Sequence, residues 1–313
     1  MSALASAPTH VFGSILEAIG GTPLVRVRLA GVADSVEVWA KLEWFNPGGS
    51  VKDRTALSIV REAKRTGALR PGKTIVDSSS GNTAVGLALV GRARGYPVEL
   101  VMPENVSEER KRLCEAYGAR LVFTDAFSGS DGALLRVREM VARNPERYFY
   151  ADQYRNPANP LAHYRTTGPE VWDQTSGRVS HFVAGLGTTG TIVGTGRYLH
   201  ERNPRVRVIA VEPDEPLHGL EGLKHLATAI VPEVFDPGVP DERVAVSTED
   251  GLRSCADVLA QSGLFAGHSA GAALHAARAV AGTLRSGVVV VLLPDGGDRY
   301  VSGHGVPTVR PPG

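Results

Sequence analysis

Residues 36–65 read VEVWAKLEWFNPGGSVKDRTALSIVREAKR, and this stretch contains the pattern that decides the fold. Its first part, Val36–Trp44, is rich in apolar and β-branched residues and predicts a strand. Its last part, Asp53–Arg65, carries apolar residues on one side at helical spacing and predicts an amphipathic helix. A loop with two consecutive glycines, Gly48 and Gly49, lies between them. Strand, glycine-containing loop and helix, in that order, are typical of a parallel α/β protein.

The same unit recurs along the 313-residue chain. Apolar, β-branched runs predict strands over Pro23–Val27, Val36–Trp44, Thr74–Asp77, Val98–Met102, Arg120–Thr124, Phe182–Gly185, Arg207–Val211, Arg243–Val246, Leu264–Gly267 and Val288–Leu293. Helical patterns lie between many of these runs. We therefore expect an α/β fold with parallel-rich, twisted sheets covered by helices. Residues 218–240 are irregular and rich in glycine and proline, and long excursions of this kind are frequently functional.

Composition and charge exclude several classes of protein. The chain has 34 basic and 33 acidic residues, a net charge of +1, so it lacks the basic excess of a nucleic-acid or anionic-membrane binder. Two cysteines cannot build a disulfide framework or a cysteine-rich metal site, and the histidines form no metal-binding pattern. The N-terminus lacks a signal-peptide pattern, and the longest apolar run, Val288–Leu293, is too short to span a membrane. We expect a cytoplasmic protein without a metal site.

Glycine is the informative residue type, since twelve of the 36 glycines lie in five short loops. The loops are Pro47–Ser50, Ser80–Asn82, Gly185–Gly196, Gly267–Gly271 and Pro294–Gly297. Most of them follow a predicted strand directly, which is where parallel α/β proteins bind their ligands. Glycine lets backbone N–H groups approach an anion closely. The five loops together predict one ligand site at the carboxyl ends of the strands.

The segment Gly185–Gly190 permits two interpretations. Its GLGTTG sequence matches the dinucleotide fingerprint, and Glu212 stands about 22 residues later, near the ~20 expected of a ribose-binding acid. That interpretation indicates a nicotinamide-dependent oxidoreductase. Alternatively, consecutive N–H groups and three hydroxyls at a helix N-terminus form a cup for a phosphate monoester. The residues of this phosphate cup are Gly187, Thr188, Thr189, Gly190 and Thr191.

Lys52 favours the second interpretation. It lies immediately before Asp53, at the start of the predicted helix, where the helix dipole disfavours an ammonium group. A desolvated lysine at this position has a lowered pKa, which suits a Schiff base with an aldehyde; a solvated surface lysine is the alternative. Together with a phosphate cup, this lysine predicts the aldehyde-bearing cofactor pyridoxal 5′-phosphate (PLP). Ser269 is then a neutral partner for the pyridine nitrogen, and the hydroxyls and amides of Ser79–Thr83 can hold a substrate carboxylate.

With these motifs, the chain resembles the cysteine synthase (O-acetylserine sulfhydrylase) and cystathionine β-synthase family of fold-type II PLP enzymes. The resemblance runs from Ile19–Leu24 to Pro294–Tyr300. It implies that Lys52 forms the Schiff base, that Asn82 contacts the phenolic oxygen of the cofactor and that Ser269 contacts the pyridine nitrogen. It implies substrate-binding roles for Ser79, Ser80, Gly81, Thr83 and Gln153. The chain departs from the family pattern at Ser79, usually threonine, and at Thr189, where many members carry glycine.

The resemblance also implies the architecture, which is similar to that of the tryptophan synthase β subunit. Residues 43–155 are expected to form a smaller, mobile substrate-binding domain. Residues 9–42 and 156–313 are expected to form a larger domain that binds the PLP phosphate, and residues 1–8 an N-terminal arm. A homodimer is implied as well. Serine acetyltransferase or a sulfur-carrier protein is the implied partner protein.

The implied reaction is β-replacement on an activated serine by a sulfur nucleophile, which yields L-cysteine. The activated serine is O-acetylserine, O-phosphoserine or both. Lys224 lies in a region resembling that in which phosphoserine-using members place an arginine, so it can neutralise a phosphate ester, although an ordinary surface lysine is the alternative. Two other functions stay open at this point. One is cystathionine synthesis from serine or an activated serine and homocysteine, and the other is the nicotinamide-dependent oxidoreductase.

Overall fold

The computed structural model describes residues 11–301, and this part of the chain contains ten strands and nine α-helices. The strands are β1 Leu24–Val27, β2 Val36–Leu42, β3 Thr74–Ser78, β4 Val98–Pro103, β5 Arg120–Thr124, β6 Tyr148–Tyr150, β7 His181–Gly185, β8 Arg207–Pro213, β9 Glu242–Val246 and β10 Gly287–Leu293. The helices are α1 Lys52–Thr66, α2 Asn82–Arg94, α3 Glu108–Ala116, α4 Gly129–Arg143, α5 Ala158–Arg165, α6 Thr167–Gln174, α7 Gly190–Arg202, α8 Thr248–Ser262 and α9 His268–Thr283.

The strands form two sheets. The six-stranded sheet has the order β1-β2-β10-β7-β8-β9, and every neighbouring pair in it is parallel except β1 and β2. The four-stranded sheet has the order β5-β4-β3-β6 and is entirely parallel. The prediction of an α/β fold with parallel-rich sheets is confirmed.

Both faces of the six-stranded sheet are covered by helices, which explains why β10 is apolar throughout. Val289, Val291 and Leu293 belong to the core cluster that contains the alanine-rich helix α9. Val290 and Leu292, which alternate with them, belong to the cluster on the opposite face with α7. Because successive strand residues point to opposite faces, a strand buried on both sides needs an uninterrupted apolar run.

The four-stranded sheet is built in the same way. Ile75 and Leu100 pack in the cluster that contains α1 and α2. Val76 and Val101, the next residue in each strand, pack in a separate cluster with α4. Among residues 11–301, no helix combines the length and the apolar character needed to cross a membrane.

Two details differ from the sequence-based expectation. The strand predicted over Leu264–Gly267 is wrong, since only Ala266 pairs, with Gly296, in an isolated antiparallel bridge. This segment connects the end of α8 to the start of α9, so it has no room to extend along a sheet. The strand β6 was not predicted. It has only three residues, too few to show a periodic pattern.

The two sheets come from different parts of the chain. The four-stranded sheet uses residues 74–150, whereas the six-stranded sheet uses residues 24–42 and 181–293. The domain boundaries at residues 43–155 and the mobility of the smaller domain stay predictions. The proposed arm, residues 1–8, lies outside the described residues. The segment between β8 and β9, residues 214–241, contains no helix or strand, as its composition predicts.

Candidate active site

A cavity of about 390 Å³ lies at the carboxyl ends of strands from both sheets. Its wall contains most of the residues that the sequence singles out: Lys52, Ser79, Ser80, Gly81, Asn82, Thr83, Gln153, Gly187, Thr188 and Lys224. These residues follow β2, β3, β6, β7 and β8, strands that are distant along the chain. The remaining predicted site residues, Thr189, Gly190, Thr191 and Ser269, are buried and do not border the cavity.

Lys52 is the first residue of α1 and borders the cavity, as the sequence predicts. Its backbone N–H donates to Ser50 Oγ at 3.2 Å, and the preceding Val51 N–H donates to the carbonyl oxygen of Pro294 at 2.9 Å. These contacts fix the start of the helix. Burial lowers the pKa of Lys52, while the negative charges of Asp295 and Glu43 oppose that shift. The amine is therefore easier to deprotonate than an exposed lysine.

The phosphate cup has the features of an anion site. Thr189 adopts a left-handed conformation (φ +67°) at the start of α7, and its buried Oγ1 has no hydrogen-bond partner within residues 11–301. A Cβ atom at Gly187 would collide with the carbonyl oxygen of Gly222, and one at Gly190 with the Asn159 side chain. Both positions therefore require glycine. A helix N-terminus with an unpaired buried hydroxyl fits the phosphate group of a cofactor.

A neutral hydrogen-bond network lies behind the cup. Asn159 Nδ2 donates to Thr188 Oγ1 at 3.0 Å, and Thr55 Oγ1 donates to Asn159 Oδ1 at 3.2 Å. The His163 ring lies 3.3 Å from Thr191 Oγ1. Burial, followed by the charge of Arg54, lowers the pKa of His163 to about 3, so this ring is neutral at physiological pH. The network orients the threonines of the cup without adding a charge beside it.

The predicted carboxylate-binding residues also come together. Thr83 Oγ1 donates to Gln153 Oε1 at 2.6 Å, and Gln153 Nε2 donates to the carbonyl oxygen of Ser78 at 3.4 Å. Gln153 is buried, whereas Ser79–Gly81 are partly exposed along the cavity wall. Because α2 begins at Asn82, the N–H groups of Asn82 and Thr83 have no partner within the helix and can receive an anion, whereas the Ala84 N–H donates to the Gly81 carbonyl oxygen at 3.0 Å.

Ser269 lies in the first turn of α9 and is 4% exposed. Its Oγ is 3.8 Å from the position that a Cβ atom would take at Gly222, a residue of the cavity wall. Ser269 is thus directly behind this glycine. Its contact with a pyridine nitrogen stays a prediction.

The sequence did not identify the polar side chains that follow β10. Asn82 Nδ2 donates to Asp295 Oδ2 at 2.6 Å, and Arg299 Nη1 donates to Asn82 Oδ1 at 2.8 Å. Tyr300 and Arg110 also border the cavity. The loop Pro294–Gly297 was predicted to contribute to the ligand site because of its glycines, but no role was assigned to the acid within it.

Comparison with known proteins decides the cofactor. A family model described as "Pyridoxal-phosphate dependent enzyme" matches residues 15–295. The chain belongs to this family. PLP is therefore its cofactor, and the unpaired hydroxyl of Thr189, the two obligatory glycines and the partly buried Lys52 fit that group. The nicotinamide interpretation of Gly185–Gly190 is not supported, and Glu212 accepts a hydrogen bond from the Leu226 N–H at 3.2 Å.

Individual relatives of this PLP enzyme are cysteine synthases. The chain is 51% identical to the cysteine synthase of Aquifex aeolicus over 296 residues, which cover 92% of this chain and 90% of the relative. It is 40% identical to cysteine synthase B of Escherichia coli, with 91% and 93% covered. The crystal structure of cysteine synthase from Entamoeba histolytica superimposes with a TM-score of 0.94 at 34% identity, with 100% of this chain and 96% of that chain covered. The fold-type II resemblance is confirmed.

The conformation of Thr189 leads to a testable prediction. A β-branched residue in the left-handed region costs about 1–3 kcal/mol. Replacing Thr189 by glycine should stabilise the PLP-free enzyme by about 1 kcal/mol in urea unfolding. The same change removes the unpaired hydroxyl and should weaken PLP binding about tenfold in a fluorescence titration. Thr189→Ser retains the hydroxyl and should bind PLP nearly as the wild type does; a less stable glycine variant would contradict the strain argument.

Proposed function

We propose that this protein is a cysteine synthase, which replaces the β-substituent of an activated serine by a sulfur nucleophile. The observation that carries this proposal is the convergence of Lys52, Gly187 and Thr188 of the phosphate cup, and the predicted carboxylate-binding residues on one cavity. When bound through Lys52, PLP supplies the electron sink that makes the Cα–H of the substrate acidic. The cysteine synthases among the relatives support the same reaction.

The side chains of the cavity have distinct tasks in this reaction. The Lys52 amine, whose pKa is lowered by burial, can take the proton from Cα and return it to Cα. The N-terminus of α2, with Ser79–Thr83 and Gln153, binds the substrate carboxylate and orients Cα toward that amine. The cavity lies between segments of both sheets, and these segments shield part of the reacting carbon from water.

A direct assay tests the proposed reaction. The purified protein should form cysteine from O-acetylserine or O-phosphoserine and sulfide, as identified by mass spectrometry. Supplying homocysteine instead of sulfide tests for cystathionine formation, an alternative that the cysteine synthase relatives do not favour. Thiosulfate and a protein thiocarboxylate are further sulfur donors for the same assay. Cystathionine as the main product would contradict the proposal.

Lys224 supports O-phosphoserine as a substrate alongside O-acetylserine. The residue borders the cavity, and its backbone N–H donates to the Leu186 carbonyl oxygen at 2.7 Å, which fixes the segment. Its Nζ lies 5.0 Å from the centroid of the Tyr154 ring. Within residues 11–301 it forms no ion pair with a carboxylate, so its positive charge is available to a ligand. A phosphate ester is the leaving group that benefits most from this cation.

Replacing Lys224 by alanine tests this substrate assignment. We expect kcat/KM for O-phosphoserine to fall about tenfold to a hundredfold more than kcat/KM for O-acetylserine, because a charge-assisted hydrogen bond is lost. Lys64→Ala is a matched control. Lys64 also lies over a tyrosine ring, that of Tyr96, at 5.8 Å, but it is exposed on α1 and distant from the cavity wall. An unchanged substrate ratio in Lys224→Ala would contradict the use of this lysine for phosphate.

The homodimer and the partner proteins rest on the family resemblance, and the location rests on the sequence pattern. We infer a homodimer in the cytoplasm that meets serine acetyltransferase or a sulfur-carrier protein. Light scattering of the purified protein tests the dimer. Co-purification with each candidate partner tests the association.

A further inference from the structure

Asp295 lies where three segments of the active site meet. It follows β10 and is 1% exposed. Its Oδ2 accepts hydrogen bonds from Asn82 Nδ2 at 2.6 Å and from the Tyr300 hydroxyl at 2.7 Å. Its Oδ1 is buried and has no hydrogen-bond partner within residues 11–301. A buried carboxylate with an unsatisfied oxygen is costly, which indicates that this acid has a function beyond packing.

The Asn82 amide is held at both ends. Its Nδ2 faces the carboxylate of Asp295, while its Oδ1 accepts from Arg299 Nη1 at 2.8 Å. The other Nη of Arg299 donates to the Gly48 carbonyl oxygen, in the loop that precedes Lys52. A flipped amide would place its oxygen against a carboxylate and its NH₂ against a guanidinium. One amide orientation is therefore fixed, and the second N–H of Nδ2 remains available to a ligand in the cavity.

The same carboxylate acts on Lys52. Ser50 pairs with Asp295 in an antiparallel bridge, and the Val51 N–H donates to the Pro294 carbonyl oxygen, so the two loops are joined. Burial lowers the pKa of Lys52, and the negative charge of Asp295 is the largest effect that opposes this shift. Burial in turn raises the pKa of Asp295, while its hydrogen bonds from Asn82 and Tyr300 and the charges of Arg299 and Lys52 lower it.

The charged and titratable groups around Asp295 come from several elements. Tyr300 contacts it directly, and the Tyr300 ring is stacked on His268 of α9 with 4.3 Å between the ring centroids. The guanidinium of Arg110, on α3, lies 5.6 Å from the centroid of the same ring. Burial lowers the pKa of His268, which favours the neutral form of its ring. Lys52 and Arg299 are thus the cations that act most directly on Asp295.

We propose that Asp295 is a positioning residue of this site, whose carboxylate fixes the Asn82 amide toward the cavity and serves as the counter-ion of the Lys52 ammonium. The inference rests on the proposed function, in which PLP binds through Lys52. It goes beyond that function in assigning two effects to an acid that neither binds the phosphate nor holds the substrate. The effect on Asn82 is geometric and the effect on Lys52 is electrostatic, so each has its own measurement.

Asp295→Asn separates the charge from the hydrogen bond, since asparagine keeps an acceptor oxygen of the same reach. The measurement is reductive methylation of Lys52 across a pH series in the full-length, PLP-free protein, read by mass spectrometry. Without the opposing carboxylate, burial should lower the pKa of Lys52 further. We expect the midpoint of methylation to move down by about one pH unit. Asp298→Asn is the matched control, because Asp298 is exposed in the same turn, and its midpoint should equal that of the wild type.

Tyr300→Phe is a second variant, which tests the same electrostatic effect without replacing the buried acid itself. It removes one hydrogen bond that favours the ionised form of Asp295, so the midpoint should move in the same direction by a smaller amount. For the geometric effect, we expect the dissociation constant for PLP, measured by fluorescence, to rise about tenfold in Asp295→Ala, which removes the acceptor of the Asn82 amide, and to stay near the wild-type value in Asp295→Asn. Asp295→Glu, which keeps the charge, should retain the wild-type midpoint of methylation.

These measurements distinguish the inference from the proposed function. An unchanged midpoint in both Asp295→Asn and Tyr300→Phe would overturn the counter-ion role, whatever the activity of the enzyme. An unchanged PLP affinity in Asp295→Ala would overturn the fixed Asn82 amide. A wild-type protein that forms no cysteine would overturn the proposed function, yet the methylation midpoints would still decide the role of Asp295.

Discussion

Lys52→Ala is expected to lower kcat for cysteine formation by about 10³-fold or more, because it removes both the covalent attachment of PLP and the base that takes the Cα proton. The residue begins α1, borders the cavity and has a pKa lowered by burial. Borohydride reduction followed by mass spectrometry should find PLP attached to the wild type and absent from the variant. The visible absorbance of the cofactor should change in parallel.

An exposed lysine on the same helix provides the control. Lys64→Ala should retain the wild-type activity and the mass of the reduced adduct, since Lys64 lies near the solvent-facing end of α1. A Lys52→Ala protein that still carries PLP covalently would show that another lysine is the attachment site. That outcome would contradict the assignment of the whole cavity.

Arg54→Leu is expected to destabilise the protein by about 3–5 kcal/mol, because it leaves two carboxylates without their principal partner. Arg54 is 2% exposed. Its Nε donates to Glu43 Oε2 at 2.7 Å and its Nη1 donates to Glu170 Oε1 at 2.6 Å. Glu43 is fully buried, so water cannot solvate its carboxylate in the variant. Urea unfolding monitored by circular dichroism measures the loss.

Arg65→Leu is the matched control for this ion pair. Arg65 is on the same helix and lies 2.8 Å from Glu62, but its side chain is 70% exposed. An exposed pair contributes little, so this variant should lose less than about 1 kcal/mol. Equal losses in Arg54→Leu and Arg65→Leu would contradict the dominant role of burial.

The ion pairs of Arg54 with Glu43 and Glu170 also predict that the stability of the protein depends on pH. Burial opposes ionisation of Glu170, yet the hydrogen bond and charge of Arg54 and the charge of Lys41 hold its pKa at about 2. A carboxyl group with a folded-state pKa below the unfolded value stabilises the fold above the unfolded pKa. That stabilisation is lost as the pH falls through the folded value. The wild type should therefore lose stability between about pH 5 and pH 2, and Arg54→Leu should lose less over that interval.

Local patterns carried much of the information needed for the fold and the site. The uninterrupted apolar run of β10 predicted a strand buried on both faces, and the clusters on its two sides confirm it. The position of Lys52 at a helix start follows from the residues beside it in sequence. The glycines of the phosphate cup were visible for the same reason, since they lie within a few residues of one another. Strand periodicity and helix initiation are short-range properties.

Contacts between distant segments could not be predicted in this way. Asn82 and Asp295 are 213 residues apart, and Arg54 and Glu170 are 116 residues apart. No periodic pattern links such pairs, so neither Asp295 nor Arg54 was assigned a role of its own. The error at Leu264–Gly267 has the same origin. An apolar run becomes a strand only where a sheet edge is available to it.

The sequence by itself determined the α/β alternation, the lysine at the start of α1 and the glycine-rich cup, because each depends on the side chains of neighbouring residues. Only the tertiary structure decided the strand order that inserts β10 between β2 and β7. That order brings the loop after β10 against the loop before Lys52, and it places a buried carboxylate beside Asn82. Such proximity is set by packing of the whole chain, which sums many weak contacts over long separations and leaves no local signal in the sequence.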